Sequence, residues 1–251
     1  MARIALASPS HFNRTFRQVT GVPPLQFLYA LRLEKARRLL MQTRRKVIDI
    51  CYDVGYNSVG SFTRRFTDLL GVSPTTFRDL AHSRLPQPEE LPDSAAKNGN
   101  TRKGARVTGR ISAPARFRGM IFVGLFESSI PQGKPLACTV PTEGGSYSIE
   151  DAPEGEFYLF GLGLERPIDT PDCLQYEGAL RAGGQALRIS RDSVRGTTYL
   201  RLRPPSPFDP PILLVLPLLM EKFYQGKQEQ TVPAELLPAI ARKAEVRMHA
   251  R

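Results

Sequence analysis

Two short stretches of the chain hold side chains suited to reading DNA bases: "SPSHFNRTFRQV" at 8–19 and "SVGSFTRRFTDL" at 58–69. In each, two phenylalanines lie four residues apart with polar and basic residues between them: Phe12 and Phe16, then Phe62 and Phe66. On a helix such a pair forms one apolar stripe, and a residue two positions from each lies about 200° away from it. Arg64 must then point outward, with Gly60, Thr63 and Thr67 sharing or flanking its face and Val59 near the helix start. The outward set of the first stretch is Ser10, Asn13, Arg14 and Arg17. A guanidinium can bind guanine O6 and N7 together, a carboxamide can bind adenine N6 and N7, and a small apolar group can touch the thymine methyl. An amphipathic helix with a merely solvated basic face would give the same pattern in a single copy.

The two stretches are copies. At a constant offset of 50 residues, eight positions are identical: Ser8/Ser58, Phe12/Phe62, Arg14/Arg64, Phe16/Phe66, Gly21/Gly71, Val22/Val72, Pro24/Pro74 and Phe27/Phe77. A fixed-period echo of this kind marks a repeated supersecondary unit. In the second copy, "VIDICYDV" (47–54) has Val47, Ile50, Cys51 and Val54 at helical spacing. Gly55 suits the left-handed position that ends a helix, and Ser58 suits an N-cap. Gly71 ends the second helix and Pro74 prevents its continuation. Helix, glycine turn and capped helix make a helix-turn-helix.

Between the copies, "LQFLYALRLEKARRLLMQTRRK" (25–46) predicts a connecting helix from about Phe27 to Gln42, with Leu28, Leu31, Ala36, Leu39 and Leu40 giving its apolar pattern. Some 16 residues span about 24 Å, a rigid spacer suited to holding two helices near grooves about 34 Å apart. Arg32, Lys35, Arg37, Arg38, Arg44, Arg45 and Lys46, with Arg65 beyond them, are candidates for phosphate contacts, which position without specifying. Charge is distributed accordingly. The chain is +11 overall, yet residues 1–84 carry 14 Lys/Arg against 5 Asp/Glu, while residues 105–225 carry 13 against 13. The basic end calls for a polyanionic partner.

These motifs, "SPSHFNRTFRQVTGVPP", "LRLEKARRLL" and "ICYDVGYNSVGSFTRRFTDLLGVSPTTFR", resemble the DNA-binding domain of the AraC/XylS regulators over residues 1–80. The resemblance implies a homeodomain-like, all-α domain of seven helices and monomeric binding to adjacent major-groove segments. The base contacts it implies fall on Ser10, Asn13 and Arg14, then on Val59, Gly60, Thr63 and Arg64. Polar side chains are common in that family where this chain has Val59 and Gly60. Subtracting 50 from Val47 puts the first unit's leading helix before Met1, so the first unit is expected to be short of packing for Phe12 and Phe16, with a true start upstream.

Residues 82–104, rich in Pro, Gly and polar residues, predict a flexible linker between a 1–81 domain and a second domain at 105–224. There the pattern turns to short apolar or alternating runs at 105–111, 120–128, 135–140, 145–151, 156–165, 185–190 and 197–204, which predict an antiparallel, immunoglobulin- or transthyretin-like β-sandwich. "GGSYSIEDAPEGEFYLFGLGL" resembles carboxypeptidase regulatory-like modules. The apolar "FDPPILLVLPLLMEKFY" (208–224) is expected to pack on the sandwich as a terminal segment or short helix, and 225–251 to form a basic, partly helical tail.

Catalytic chemistry finds no support. His is absent from 105–225, so no Ser/His/Asp or Cys/His set is available there. Cys51, Cys138 and Cys173 form no CxxC pair, and neither disulfides nor zinc are expected. Glu150/Asp151 and Asp169/Asp172 lack calcium-loop spacing. No cofactor or metal is expected, and Pro217 interrupts the longest apolar run. The expected protein is a cytoplasmic, sequence-specific transcription regulator acting on double-stranded DNA. RNA polymerase is a candidate partner, and the sandwich is a candidate for binding an effector or for self-association. The alternatives are non-specific DNA binding and a ligand- or protein-binding sandwich with an accessory DNA-binding unit.

Overall fold

The structure is a computed structural model that describes residues 4–82, 104–141, 144–165 and 174–216. Five helices come first: α1 (Pro9–Thr20), α2 (Pro24–Gln42), α3 (Val47–Asp53), α4 (Val59–Leu70) and α5 (Pro74–Ala81). Five helices rather than seven are therefore found among the described residues. Eight strands follow: β1 (Ala105–Ser112), β2 (Gly119–Phe126), β3 (Ala137–Thr139), β4 (Gly145–Ala152), β5 (Gly155–Glu165), β6 (Leu180–Ser190), β7 (Ser193–Arg195) and β8 (Tyr199–Arg201). The linker expected at 82–104 and the tail expected at 225–251 lie almost wholly outside the described residues.

Local chemistry sets the helix ends. Ser8, Ser58 and Ser73 each accept a hydrogen bond from the backbone N–H three residues on, at 3.3, 3.2 and 3.1 Å. Each such cap is worth about 1 kcal/mol. Gly21 and Gly71 close α1 and α4 in the left-handed region, and their N–H groups donate to Arg17 and Thr67. α2 starts at Pro24, earlier than expected, and its buried stripe is Phe27, Ala30, Leu33, Ala36, Arg37 and Leu40, while Leu31 is exposed.

The strands form two sheets, one ordered β4-β1-β8 and the other β3-β2-β5-β6-β7. Their facing side chains share one core, with Val107, Ile111 and Ile149 from the first sheet and Ile121, Val123, Leu159 and Leu187 from the second. The expected purely antiparallel pairing is corrected at one edge, where β8 runs parallel to β1 through Arg110–Tyr199, Ile111–Leu200 and Ser112–Arg201. A parallel neighbour requires a long return path, here the second sheet, which the alternation of residues cannot disclose.

The helical and β regions meet through an extended segment at 212–216. Its residues alternate between two cores: Leu213 and Val215 join the helical cluster, while Ile212, Leu214 and Leu216 join a cluster with Phe122, Phe126 and Tyr176. Successive side chains of extended backbone point to opposite sides, so a continuous apolar run serves both. Leu213 N–H donates to Pro131 O (2.8 Å), and Tyr176 Oη donates to Leu214 O and accepts from Leu216 N–H (both 3.1 Å). The segment thus packs on both regions and not on the sandwich alone.

Candidate nucleic-acid interface

In α4 the packing decides which face is offered. Phe62 and Phe66 are fully buried and Leu70 nearly so, in the cluster that also holds Ile50 and Cys51 of α3 and Phe77 of α5. Gly60 and Arg64 lie on the exposed side, Val59 and Thr63 are half-buried at its margins, and the Arg64 side chain is 87% exposed. Arg64 Nε lies 3.8 Å from Asp68 Oδ2, an exposed pair of little energetic weight. Thr67 is half-buried, and its hydroxyl donates to Thr63 O at 2.8 Å.

In α1, Ser10, Asn13, Arg14 and Arg17 are all exposed, and together with Pro24 and Leu25 they line one shallow groove. The first unit is packed more loosely than the second. Phe12 and Phe16 are only half-buried, Phe16 meets Phe27 edge-on at 5.4 Å, and α1 buries no residue completely.

Several basic residues are held in place. Arg65 lies over the Tyr29 ring, 4.0 Å from its centroid, a cation–π contact that fixes a cation beside α4. Arg32 lies 5.7 and 6.0 Å from the Tyr29 and Tyr56 ring centroids. Its guanidinium packs against Gly55, whose φ of +85° makes the turn between α3 and α4 favour glycine, and where a Cβ would stand 3.1 Å from Nη2. Arg45 Nη1 bonds Asp53 Oδ2 at 2.6 Å, which holds the Asp53 carboxyl below its ordinary range and raises Arg45. Arg78 donates to Leu40 O (3.3 Å) and Arg45 O (2.6 Å), tying α5 to the end of α2. Arg44 and Lys46 are exposed, and Arg38 pairs with Glu177 at 3.5 Å.

Arg37 is a correction. It cannot meet phosphate, because it is 1% exposed. Its Nη1 and Nη2 donate to Ile212 O and Leu174 O, and it lies 5.2 Å from the Tyr176 ring centroid. Burial lowers its pKa from the ordinary value against the opposing fields of Tyr176 and Glu34.

Residues 1–79 match the family described as "Helix-turn-helix domain". This part of the chain is a helix-turn-helix domain of the AraC type. Among curated relatives, it is 31% identical over 83 residues to the HTH-type transcriptional regulator YobQ of Bacillus subtilis, which is 33% of this chain and 34% of the relative. It is 37% identical over 78 residues to the HTH-type transcriptional regulator GlxA of Rhizobium meliloti, covering 31% and 24%. It is 30% identical over 81 residues to the bifunctional transcriptional activator/DNA repair enzyme AdaA of Bacillus subtilis, covering 32% and 38%. The matched stretch thus spans only about a quarter to two-fifths of these relatives' length.

The helix-turn-helix domain contacts the β region at the end of α4. Gly133, between β2 and β3, donates its N–H to Leu69 O at 2.7 Å and to Leu213 O at 3.1 Å. The last-turn carbonyl of α4 is thereby satisfied from outside the domain. Sequence reading missed this contact, and it missed Tyr29 and Tyr56 as supports for arginines. Arg32 lies three residues after Tyr29, a spacing that puts both on one helix face and could have disclosed that pair. Glu150, weighed as a cation ligand, accepts from Arg106 Nε at 2.8 Å, and the described residues contain no group of three or more metal-ligating side chains. Asp169 and Asp172 lie outside the described residues.

Proposed function

We propose that the protein is a sequence-specific, DNA-binding regulator of transcription, in which α1 and α4 read adjacent major-groove segments. Ser10, Asn13, Arg14 and Arg17 would face bases in one segment. Val59, Thr63 and Arg64 would do so in the other, with Gly60 allowing close backbone approach. Arg32, Arg38, Arg44, Arg45, Lys46 and Arg65 would bind phosphates and fix the register. The observation that carries this reading is α4 itself: a helix held by Phe62 and Phe66, with Arg64 turned fully outward, repeated 50 residues earlier within a helix-turn-helix domain. The match to regulators named for transcription supports the same reading. RNA polymerase is a further proposed partner, and the β region is assigned to regulation rather than to catalysis. We place the protein in the cytoplasm, where its DNA target lies. No helix among the described residues is long and apolar enough to cross a membrane.

Selection from a random pool of double-stranded DNA, followed by a salt titration with competitor, tests the proposal. The expected result is an enriched site with two blocks about 10 base pairs apart. Equal affinity for every sequence, falling steeply with salt, would mean phosphate-only binding and would reject sequence-specific regulation.

A further inference from the structure

A cleft of about 400 Å³ opens between the two regions of the molecule. One wall is the C-terminal end of α1, from Gln18 to Gly21, and the opposite wall comes from β2, β5, β6 and the 203–214 segment. Its size suits a small organic molecule. The lining has two kinds of chemistry. Phe122, Phe126, Phe160 and Leu162 provide an apolar floor, where Phe126 and Phe160 meet edge-on at 5.7 Å. Val19 and Phe208 leave large apolar surfaces exposed at the same cleft, at 57% and 60%.

The charged groups are two arginines against one aspartate. Arg203 holds Asp209 through two bonds of 2.8 and 2.6 Å, and Ser206 N–H adds a third at 2.7 Å, so that carboxylate is already occupied. Arg181 is different. Its Nη1 donates to Pro210 O at 3.2 Å, its Nε is sealed from solvent, and its Nη2 makes no hydrogen bond among the described residues. The cleft therefore contains a cation with spare donor capacity beside an aromatic floor.

We propose, on the reading that the protein regulates transcription, that this cleft binds a small organic acid, with its carboxylate on Arg181 and its apolar body on Phe122, Phe126 and Phe160. Arg181 offers a planar, charged donor, the group best matched to a carboxylate. Because Gln18–Gly21 form the facing wall, the bound acid touches the same helix that carries Asn13, Arg14 and Arg17. Binding thus acts directly on the first recognition unit, whose helix is the one with no fully buried residue.

The test uses the full chain with naphthalene-2-carboxylate as the probe and 2-naphthamide as its neutral counterpart, each followed by its own fluorescence. The acid should bind saturably and about tenfold more tightly than the amide, the advantage of a charge-assisted hydrogen bond. Arg181→Gln should abolish that preference while leaving amide binding unchanged. Val19→Glu, at an exposed position on the α1 wall, should weaken the acid selectively without burdening the fold. Absence of saturable acid binding, equal binding of acid and amide, or indifference to Val19→Glu would overturn the proposal. DNA selection on the unliganded protein is scored separately. DNA specificity without acid binding would remove only the cleft, and acid binding without DNA specificity would remove only the regulator reading.

Discussion

Arg64 contributes little to folding, because its side chain is 87% exposed and its one ion pair is long. Arg64→Ala should therefore leave the thermal midpoint unchanged. On the selected DNA site it should cost about 1–3 kcal/mol and relax a single base position, as measured by fluorescence anisotropy against a panel of variant sites. Gly60 makes the complementary case. Nothing lies within 4 Å of the place a Cβ would occupy, and its backbone is helical. Gly60→Ala should stabilise the fold by about 0.4–1 kcal/mol through the unfolded chain, seen as a higher urea midpoint. The glycine is thus not demanded by its backbone, unlike Gly55, whose φ of +85° lies in the left-handed region that favours glycine.

Among the elements, α4 was legible almost to the residue, since Ser58 and Gly71 mark its ends and Phe62, Phe66 and Leu70 its buried side. The longer strands were legible from alternating or continuous apolar runs, and the short β3 and β8 from the runs at 135–140 and 197–204, whereas β7, mostly exposed and with Val194 as its one apolar residue, offered no such run. The junction was hidden for a different reason. It joins residue 37 to residues 174 and 212, separations of 137 and 175 positions over which local patterns carry no information. One clue was nevertheless present: Arg37 occupies a buried position in the stripe of Leu33, Ala36 and Leu40, where a charge must find partners. Arg37→Ala should cost about 3–5 kcal/mol, since it strips two buried carbonyls of a charged donor. Leu213→Ala should cost about 2–5 kcal/mol. In a double-mutant cycle followed by urea denaturation, the pair should lose about 1–2 kcal/mol less than the separate losses added together, because both act through one interface.

At the scale of the molecule, stability responds to alkali through both regions, since burial also raises the Cys51 thiol and the Tyr56 phenol of the helical domain. Burial pushes the Cys138 thiol from 9.0 to about 11, against the weaker pull of Lys134, and pushes the Tyr147 phenol from 10.0 to about 12. Both groups are neutral when protonated and are raised in the folded state. Their contribution is complete below the ordinary value and is lost as pH rises through the folded one. The thiol accounts for about 2–3 kcal/mol, so the urea midpoint should fall from pH 9 to 11, and Cys138→Ala should make that fall shallower. The two regions are also bound by a shared core, since Ile130, Leu174, Leu213 and Val215 complete the cluster around Leu33, Phe66 and Phe77. That arrangement has a consequence for biosynthesis. α5 ends at Ala81, but the last apolar side chain known to enter its core is Val215. At about 5–20 residues per second, a ribosome needs roughly ten seconds to make the intervening stretch. During that interval α1–α5 exist with one side of their core uncovered, and a chain terminated before residue 212 would never close it.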